Sequence, residues 1–307
     1  MSKKRDFLSL YDWSRETFLS VLDLASEVKA EVKRGVFRDP LRHKVMGMVF
    51  QKPSLRTRVS FEVGMHQLGG HAIYLSPAEV GIGERESVED VARVLSRYCD
   101  VIMARTFAHS IVSGLAKAAP VPVINGLSDY NHPAQIVCDL LTIKEHLGSA
   151  EGFKLTWIGD GNNVAVSWLN AAAKLHFDLT LVVPEGFDAD RETLERARRD
   201  AKGKIEVVRR PEDGAPGTDV FYTDVWTSMG QEAEKAARLK AFAGYCIDGK
   251  LVRLGKPGAR VMHCLPAHRG EEITHEVMES PQSIVFDQAE NRMHGQKAII
   301  LWAMGAA

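Results

Sequence analysis

Short apolar runs alternate along this chain with longer stretches in which apolar residues recur at every third or fourth position. The first pattern reads as buried strand and the second as amphipathic helix. In the first half, the runs at 45–50, 71–75, 101–104 and 121–127 predict strands. Helical periodicity predicts helices at 13–34, 54–68, 88–98, 111–119 and 132–147, with 77–85 left as a glycine-bearing loop. Ser14 is placed to cap the first helix, and Ser87-Val88-Glu89-Asp90 resembles a capping box opening the third, with Val88, Val91, Leu95 and Tyr98 on its apolar face. The pattern then restarts. Strands are expected at 154–158, 179–183, 205–208, 220–225 and 261–264, with a short one at 284–286. Helices are expected at 164–175, in the charged stretch between 183 and 205, and at 289–304.

Such alternation predicts an α/β protein of two domains, each a parallel β-sheet flanked by helices. The expected division is 1–142, then 143–288, with 289–307 as a C-terminal helix packing back on the first domain. Each polar cluster (54–58, 105, 132–135, 160–163, 224–230, 263–269) follows an expected strand. Ligands of open α/β sheets bind at the carboxyl ends of strands. The active site is therefore expected in a cleft between the domains.

Composition narrows the partners. The 307 residues are 45% hydrophobic and 26% charged with a net charge of −1, so no global field recruits nucleic acid or an acidic membrane. No apolar run approaches the ~20 residues of a membrane span, and 7–10 is too short for the apolar core of a secretory signal. Four scattered cysteines without C-x-x-C spacing suggest reduced thiols in a cytoplasmic protein.

The candidate chemistry lies in the polar clusters. Ser54, Leu55, Arg56, Thr57 and Arg58 sit where a strand turns into a helix, a place where exposed amides, hydroxyls and a guanidinium suit a phosphate. A helix cap with a solvated arginine pair is the plainer explanation. Arg105 ends a strand and is either a solvent-reaching charge or a second guanidinium for the same anion. His132 and Gln135 stand one turn apart around Pro133 and suit a carbamoyl or amide group, although capping also explains them. Gly159-Asp160-Gly161 lacks the third glycine of a dinucleotide fingerprint, so no nicotinamide or flavin is expected. Asp224, Ser228, Met229 and Gly230 offer an anionic contact for a small amine, or a capped turn. Cys264 lies at a strand end with no evident activating partner. His263 and Cys264, as neighbours in a strand, are expected to diverge, and no metal is expected.

Taken in order, Ser54-Leu55-Arg56-Thr57-Arg58, Arg105-Thr106-Phe107, His132-Pro133-Ala134-Gln135, Gly159-Asp160-Gly161-Asn162-Asn163, Asp224-Val225-Trp226-Thr227-Ser228-Met229-Gly230, His263-Cys264-Leu265-Pro266 and Glu290-Asn291-Arg292 resemble the carbamoyltransferase family. The Ser-Met-Gly and His-Cys-Leu-Pro stretches separate its ornithine-using members from its aspartate-using ones. Two positions depart from the pattern: Leu55, where the usual motif has a threonine, and Gly81, where many ornithine enzymes have a glutamine. Members using acylated ornithines also tend to carry the leucine.

The resemblance implies a cofactor-free transfer of a carbamoyl group from carbamoyl phosphate to L-ornithine, in arginine biosynthesis, by a homotrimer or a multiple of trimers. It implies that Ser54, Leu55 (through its amide), Arg56 and Thr57 bind phosphate. Arg105 and His132 would polarise the carbamoyl oxygen, and Gln135, Cys264, Leu265 and Arg292 would complete that pocket. Asn163, Asp224, Ser228 and Met229 would bind ornithine, with Cys264 and Asp224 at the reacting centre. A carbamoyltransferase for putrescine or an acylated ornithine, or a silent sensor of phosphate-bearing ligands, are the alternatives.

Overall fold

The structure, a computed structural model, describes residues 4–228, 230 and 232–307. The chain forms two units, one of residues 1–141 with 290–307 and the other of 142–289.

The first unit is built on four parallel strands, β1 (Val45–Phe50), β2 (His71–Leu75), β3 (Val101–Arg105) and β4 (Val123–Leu127), in the order β2-β1-β3-β4. The central strands are nearly continuous apolar runs because helices cover both faces of a parallel sheet. Between Ala104 and Arg105 the β3–β4 register shifts, and Arg105 pairs with Leu127 rather than Gly126. Such a shift re-aims the side chain at the carboxyl end of the strand. Helix Val285–Met304 passes into this unit, where a Cβ on Gly295 would sit 2.6 Å from Cys138 Sγ. Only glycine lets this helix lie so close to Pro133–Leu147. At the other end of the chain, Phe7 hydrogen-bonds along β4, and Phe7, Trp13, Phe18 and Trp302 form one aromatic cluster.

The second unit carries five parallel strands, β5 (Lys154–Ile158), β6 (Asp178–Val182), β7 (Ile205–Val208), β8 (Val220–Thr223) and β9 (Arg260–His263), in the order β7-β6-β5-β8-β9. Helix Asn163–Ala172 is apolar almost all round and buried along most of its length, with Trp168 packed against Tyr222 and Phe177. A helix with no polar face belongs inside. Gly161 has its own reason: a Cβ there would lie 2.1 Å from the Ala189 amide. A neighbouring main chain, rather than a pyrophosphate, accounts for that glycine.

Several expectations are corrected. Residues 284–286 are not a strand; Ser283 makes an isolated bridge to Val261, and Val285 already opens the last helix. The 77–85 loop contains a one-turn helix, Pro77–Val80, and there the full reciprocal capping box forms, between Ser76 and Glu79. Ser87 caps its helix through the Asp90 amide, but that helix buries Val91 and Ala92 and leaves Tyr98 72% exposed.

Candidate active site

In the first unit everything converges on Thr57. Ser54 ends the connection from β1 in an extended conformation and caps helix Leu55–Gln67 by accepting the Thr57 amide at 3.3 Å. The threonine side chain is thereby held, fully buried, in the first helical turn. Its Oγ1 lies within hydrogen-bond reach of Ser54 Oγ at 3.1 Å, Arg105 Nη1 at 3.3 Å and Arg292 Nη2 at 2.9 Å. A hydroxyl oxygen has two lone pairs. Three donors around it, two of them guanidinium groups, exceed what it can accept, which suits the cluster to an anion. Arg56 is half-buried and makes no ion pair among the described residues. Leu55 is 75% exposed, so its side chain is not buried with Thr57. Arg58, grouped with the local positive charge by its sequence position, is directed elsewhere: it pairs with Glu62 and stacks on Tyr74.

His132 is buried, and desolvation together with Arg292, Arg105 and Lys52 holds its pKa well below the ordinary histidine value. It is a neutral imidazole. Gln135, one turn on, donates Nε2 to Asp139 Oδ1 at 2.8 Å. A carboxylate only accepts, which fixes the amide's orientation and leaves Gln135 Oε1, buried and without a hydrogen-bond partner, as the acceptor. Lys52, not singled out by the sequence, stands over the Phe107 ring at 4.9 Å, and burial and Arg105 lower its pKa to about 8. Its place just before Ser54 was the available signal.

In the second unit the centre is Asp224, beyond the end of β8. Its carboxylate accepts the Val225 amide at 2.8 Å, Asn162 Nδ2 at 3.0 Å and the Cys264 thiol at 2.9 Å. Cys264 thus has an immediate partner that sequence reading did not find. The asparagine that reaches Asp224 is Asn162, which also caps helix Asn163–Ala172 through the Val164 and Ala165 amides. Asn163 begins that helix, and its carbonyl accepts Ser167 Oγ. Ser228 is partly buried in the loop after Asp224, and Met229 lies outside the described residues. Leu265 adopts a left-handed φ of 58°, which costs a residue with a Cβ about 1–2 kcal/mol.

His263 and Cys264 do not diverge: one ligand-type atom from each, with one from Asp224, falls within 4.8 Å, and so do those of His268, Glu271 and Glu272. In the first group, His263 Nδ1 already accepts the Leu265 amide and Cys264 serves Asp224, so a metal would have to displace both bonds.

One parallel-sheet unit carries a cluster suited to an anion and the other a carboxylate beyond a strand end suited to a cation. Comparison with known proteins narrows the possibilities. Residues 5–145 match the carbamoyl-P binding domain of aspartate/ornithine carbamoyltransferase, and 151–303 match its Asp/Orn binding domain. The chain belongs to the aspartate/ornithine carbamoyltransferase family.

Among relatives, the chloroplastic ornithine carbamoyltransferase of Pisum sativum is 53% identical, covering 98% of this chain and 80% of its own. That of Chlorobaculum tepidum is 50% identical over 99% and 90%. The solved ornithine carbamoyltransferase of Pyrococcus furiosus superposes with a TM-score of 0.96 at 48% identity, covering 98% of this chain and 97% of that one. That of Thermus thermophilus gives 0.89 at 42%, covering 97% and 98%. The second family match runs to residue 303, whereas residues 290–307 pack with the first unit.

Proposed function

We propose that this chain transfers the carbamoyl group of carbamoyl phosphate to the δ-amine of L-ornithine, releasing L-citrulline and phosphate. The observation that carries the reading is the crowding of Ser54, Arg105 and Arg292 on the single oxygen of Thr57. Phosphate is held by this group with Arg56 and the amides at the start of helix Leu55–Gln67. Arg105 and neutral His132 donate to the carbamoyl oxygen and stabilise the charge it gains as the amine adds. Gln135 Oε1 and the Leu265 carbonyl accept the carbamoyl NH₂.

Asp224 binds the α-ammonium of ornithine, helped by Asn163, Ser228 and Met229, and Cys264 orients that carboxylate. The δ-nitrogen adds to the carbamoyl carbon, the bond from that carbon to the phosphate oxygen then breaks as the carbonyl re-forms, and the proton lost by the nitrogen passes to the departing phosphate. The amine reacts only when neutral, although an alkylamine in water has a pKa of about 10.4. Desolvation and neighbouring cations lower that value. Much of the acceleration comes from holding two reactants in place.

Leu55, 75% exposed, adds no side chain to the cradle, so its presence does not favour an acylated substrate. An acylated α-nitrogen also could not pair with Asp224. We further propose a cytoplasmic homotrimer acting in arginine biosynthesis. Support for self-association comes from the first unit, where Leu55, Val59, Ile73, Val94 and Tyr98 are exposed apolar side chains.

The test is citrulline-type product formation from carbamoyl phosphate with ornithine, acetylornithine, succinylornithine, putrescine or aspartate. Ornithine is expected to react and the others to lag far behind. Preference for acetylornithine would reverse the role given to Asp224.

A further inference from the structure

His263, at the end of β9, is fully buried and bonded through its main chain and both ring nitrogens. Its main-chain N–H donates to Gln288 Oε1 at 2.9 Å, and Gln288 Nε2 in turn donates to the Tyr222 hydroxyl at 2.9 Å. Its Nδ1 accepts the Leu265 amide at 2.8 Å, and its Nε2 faces Glu272 Oε1 at 3.0 Å. Glu272 has no exposed side-chain area and also accepts the His268 amide at 2.6 Å. An atom that accepts an amide proton carries a lone pair, so the ring proton sits on Nε2 and points at the carboxylate. The two contacts thus select one tautomer and one ring orientation.

What the ring holds is the unusual part of the loop. Leu265 is one of two residues other than glycine with a left-handed φ among the described residues. Such a conformation persists only where the surroundings impose it, and such positions cluster at functional sites. The Leu265 amide is gripped by Nδ1, while the preceding residue presents its thiol to Asp224. We infer that His263, held by Glu272, is a positioning residue for carbamoyl transfer, fixing the Cys264–Leu265 turn that presents the thiol to Asp224 and the Leu265 carbonyl to the carbamoyl group. The inference rests on the reaction proposed above, and it assigns His263 no contact with substrate and no proton transfer.

Two near-isosteric substitutions separate the ring's two bonds. His263→Asn keeps an acceptor close to the position of Nδ1 and gives up the reach to Glu272. His263→Gln keeps a donor near Glu272 and gives up the Leu265 amide. Steady-state citrulline formation is expected to show kcat in His263→Gln reduced roughly tenfold to hundredfold, with KM for carbamoyl phosphate raised. In His263→Asn kcat stays within about threefold of the parent, although both variants melt at lower temperature. Parental kcat in His263→Gln overturns the inference, as does an equal loss in the two variants, which is the mark of a packing role. In the parent, ¹⁵N NMR of labelled histidine is expected to show His263 with a protonated Nε2 and a bare Nδ1. A proton on Nδ1 overturns the inference whether or not the variants fold. A parent that makes no citrulline while showing the expected His263 spectrum would refute the assigned reaction instead, because the spectrum does not depend on turnover.

Discussion

The Thr57 cluster of the first unit and the Asp224 cluster of the second are built with opposite chemistry. Around Thr57, guanidinium groups and a hydroxyl crowd a neutral oxygen, with Lys52 and half-buried Arg56 close in sequence. Around Asp224, an amide, a carboxamide and a thiol, all neutral, surround a carboxylate that is 9% exposed and has no ion pair among the described residues. Burying a charge without an opposite charge is costly. The difference teaches which ligand each cluster suits: an anion at the first, where guanidinium groups gather, and a cation at the second, where a carboxylate is met only by neutral donors.

The contrast is most sharply broken at Arg105. Arg105→Ala removes a donor to the developing oxyanion and is expected to cost about 3–4 kcal/mol in kcat/KM, read from citrulline formation at saturating ornithine. A loss below tenfold would mean that the cradle tolerates one fewer cation. Arg56→Ala takes one charge from the phosphate without touching the oxyanion. Carbamoyl phosphate binding, followed by calorimetry, should weaken by about 2–3 kcal/mol. On the other side of the comparison, Asp224→Asn keeps shape and removes charge. Ornithine binding should fall by about 1.5 kcal/mol while carbamoyl phosphate binding holds, and parallel losses of both ligands would erase the division of labour.

Proton inventory sharpens the same contrast. His132 has its pKa depressed by burial and three cations, so it does not change charge between pH 6 and 8. The rate should climb over that range by up to about tenfold per unit, following the neutral amine alone. A second limb near the ordinary histidine pKa, abolished by changing His132, would show the imidazole titrating.

The smallest expected effect is on stability. His294 in the first unit has its pKa lowered from 6.5 to about 4 by burial and by Lys297, Lys29 and Lys33. The unfolded chain therefore binds a proton that the folded one refuses between those values, and stability drains as pH falls from about 6.5 towards 4. His294→Gln should recover on the order of 1 kcal/mol at pH 5 relative to pH 7.5. Chemical melts at the two pH values, parent against variant, make the measurement, and an unchanged difference would show that His294 is not the acid-sensitive group.

Much of the scaffold was legible in the sequence because strands buried on both faces read as unbroken apolar runs. The strands 45–50, 71–75, 154–158 and 205–208 have the boundaries the pattern gave. Where the run was too short to carry a period, reading failed: Ile284-Val285-Phe286 fits strand and helix equally, and the helix prevails. Tyr98 failed for another reason, since a periodic face can continue beyond the part that the core covers.

In the site, Ser54 and Thr57 were visible as a strand-to-helix turn, and Asp224 as a strand end. Arg292 lies 235 residues from the threonine it touches, and only the family resemblance pointed to it. Asn162 could have been found, because an asparagine just before an apolar helix is a cap signal. The His263–Glu272 contact had no sequence signal of its own; it exists because the loop after β9 folds back on the strand.

The joining of residues 290–307 to a unit whose remainder ends at 141 sets a timetable for synthesis. Translation at roughly 5–20 residues per second separates residue 141 from residue 290 by about 7–30 s. During that interval the nascent first unit has its sheet but neither the helix that Gly295 seats against Cys138 nor the guanidinium from Arg292. A ribosome that stalls within the second unit releases a chain lacking part of its anion cradle.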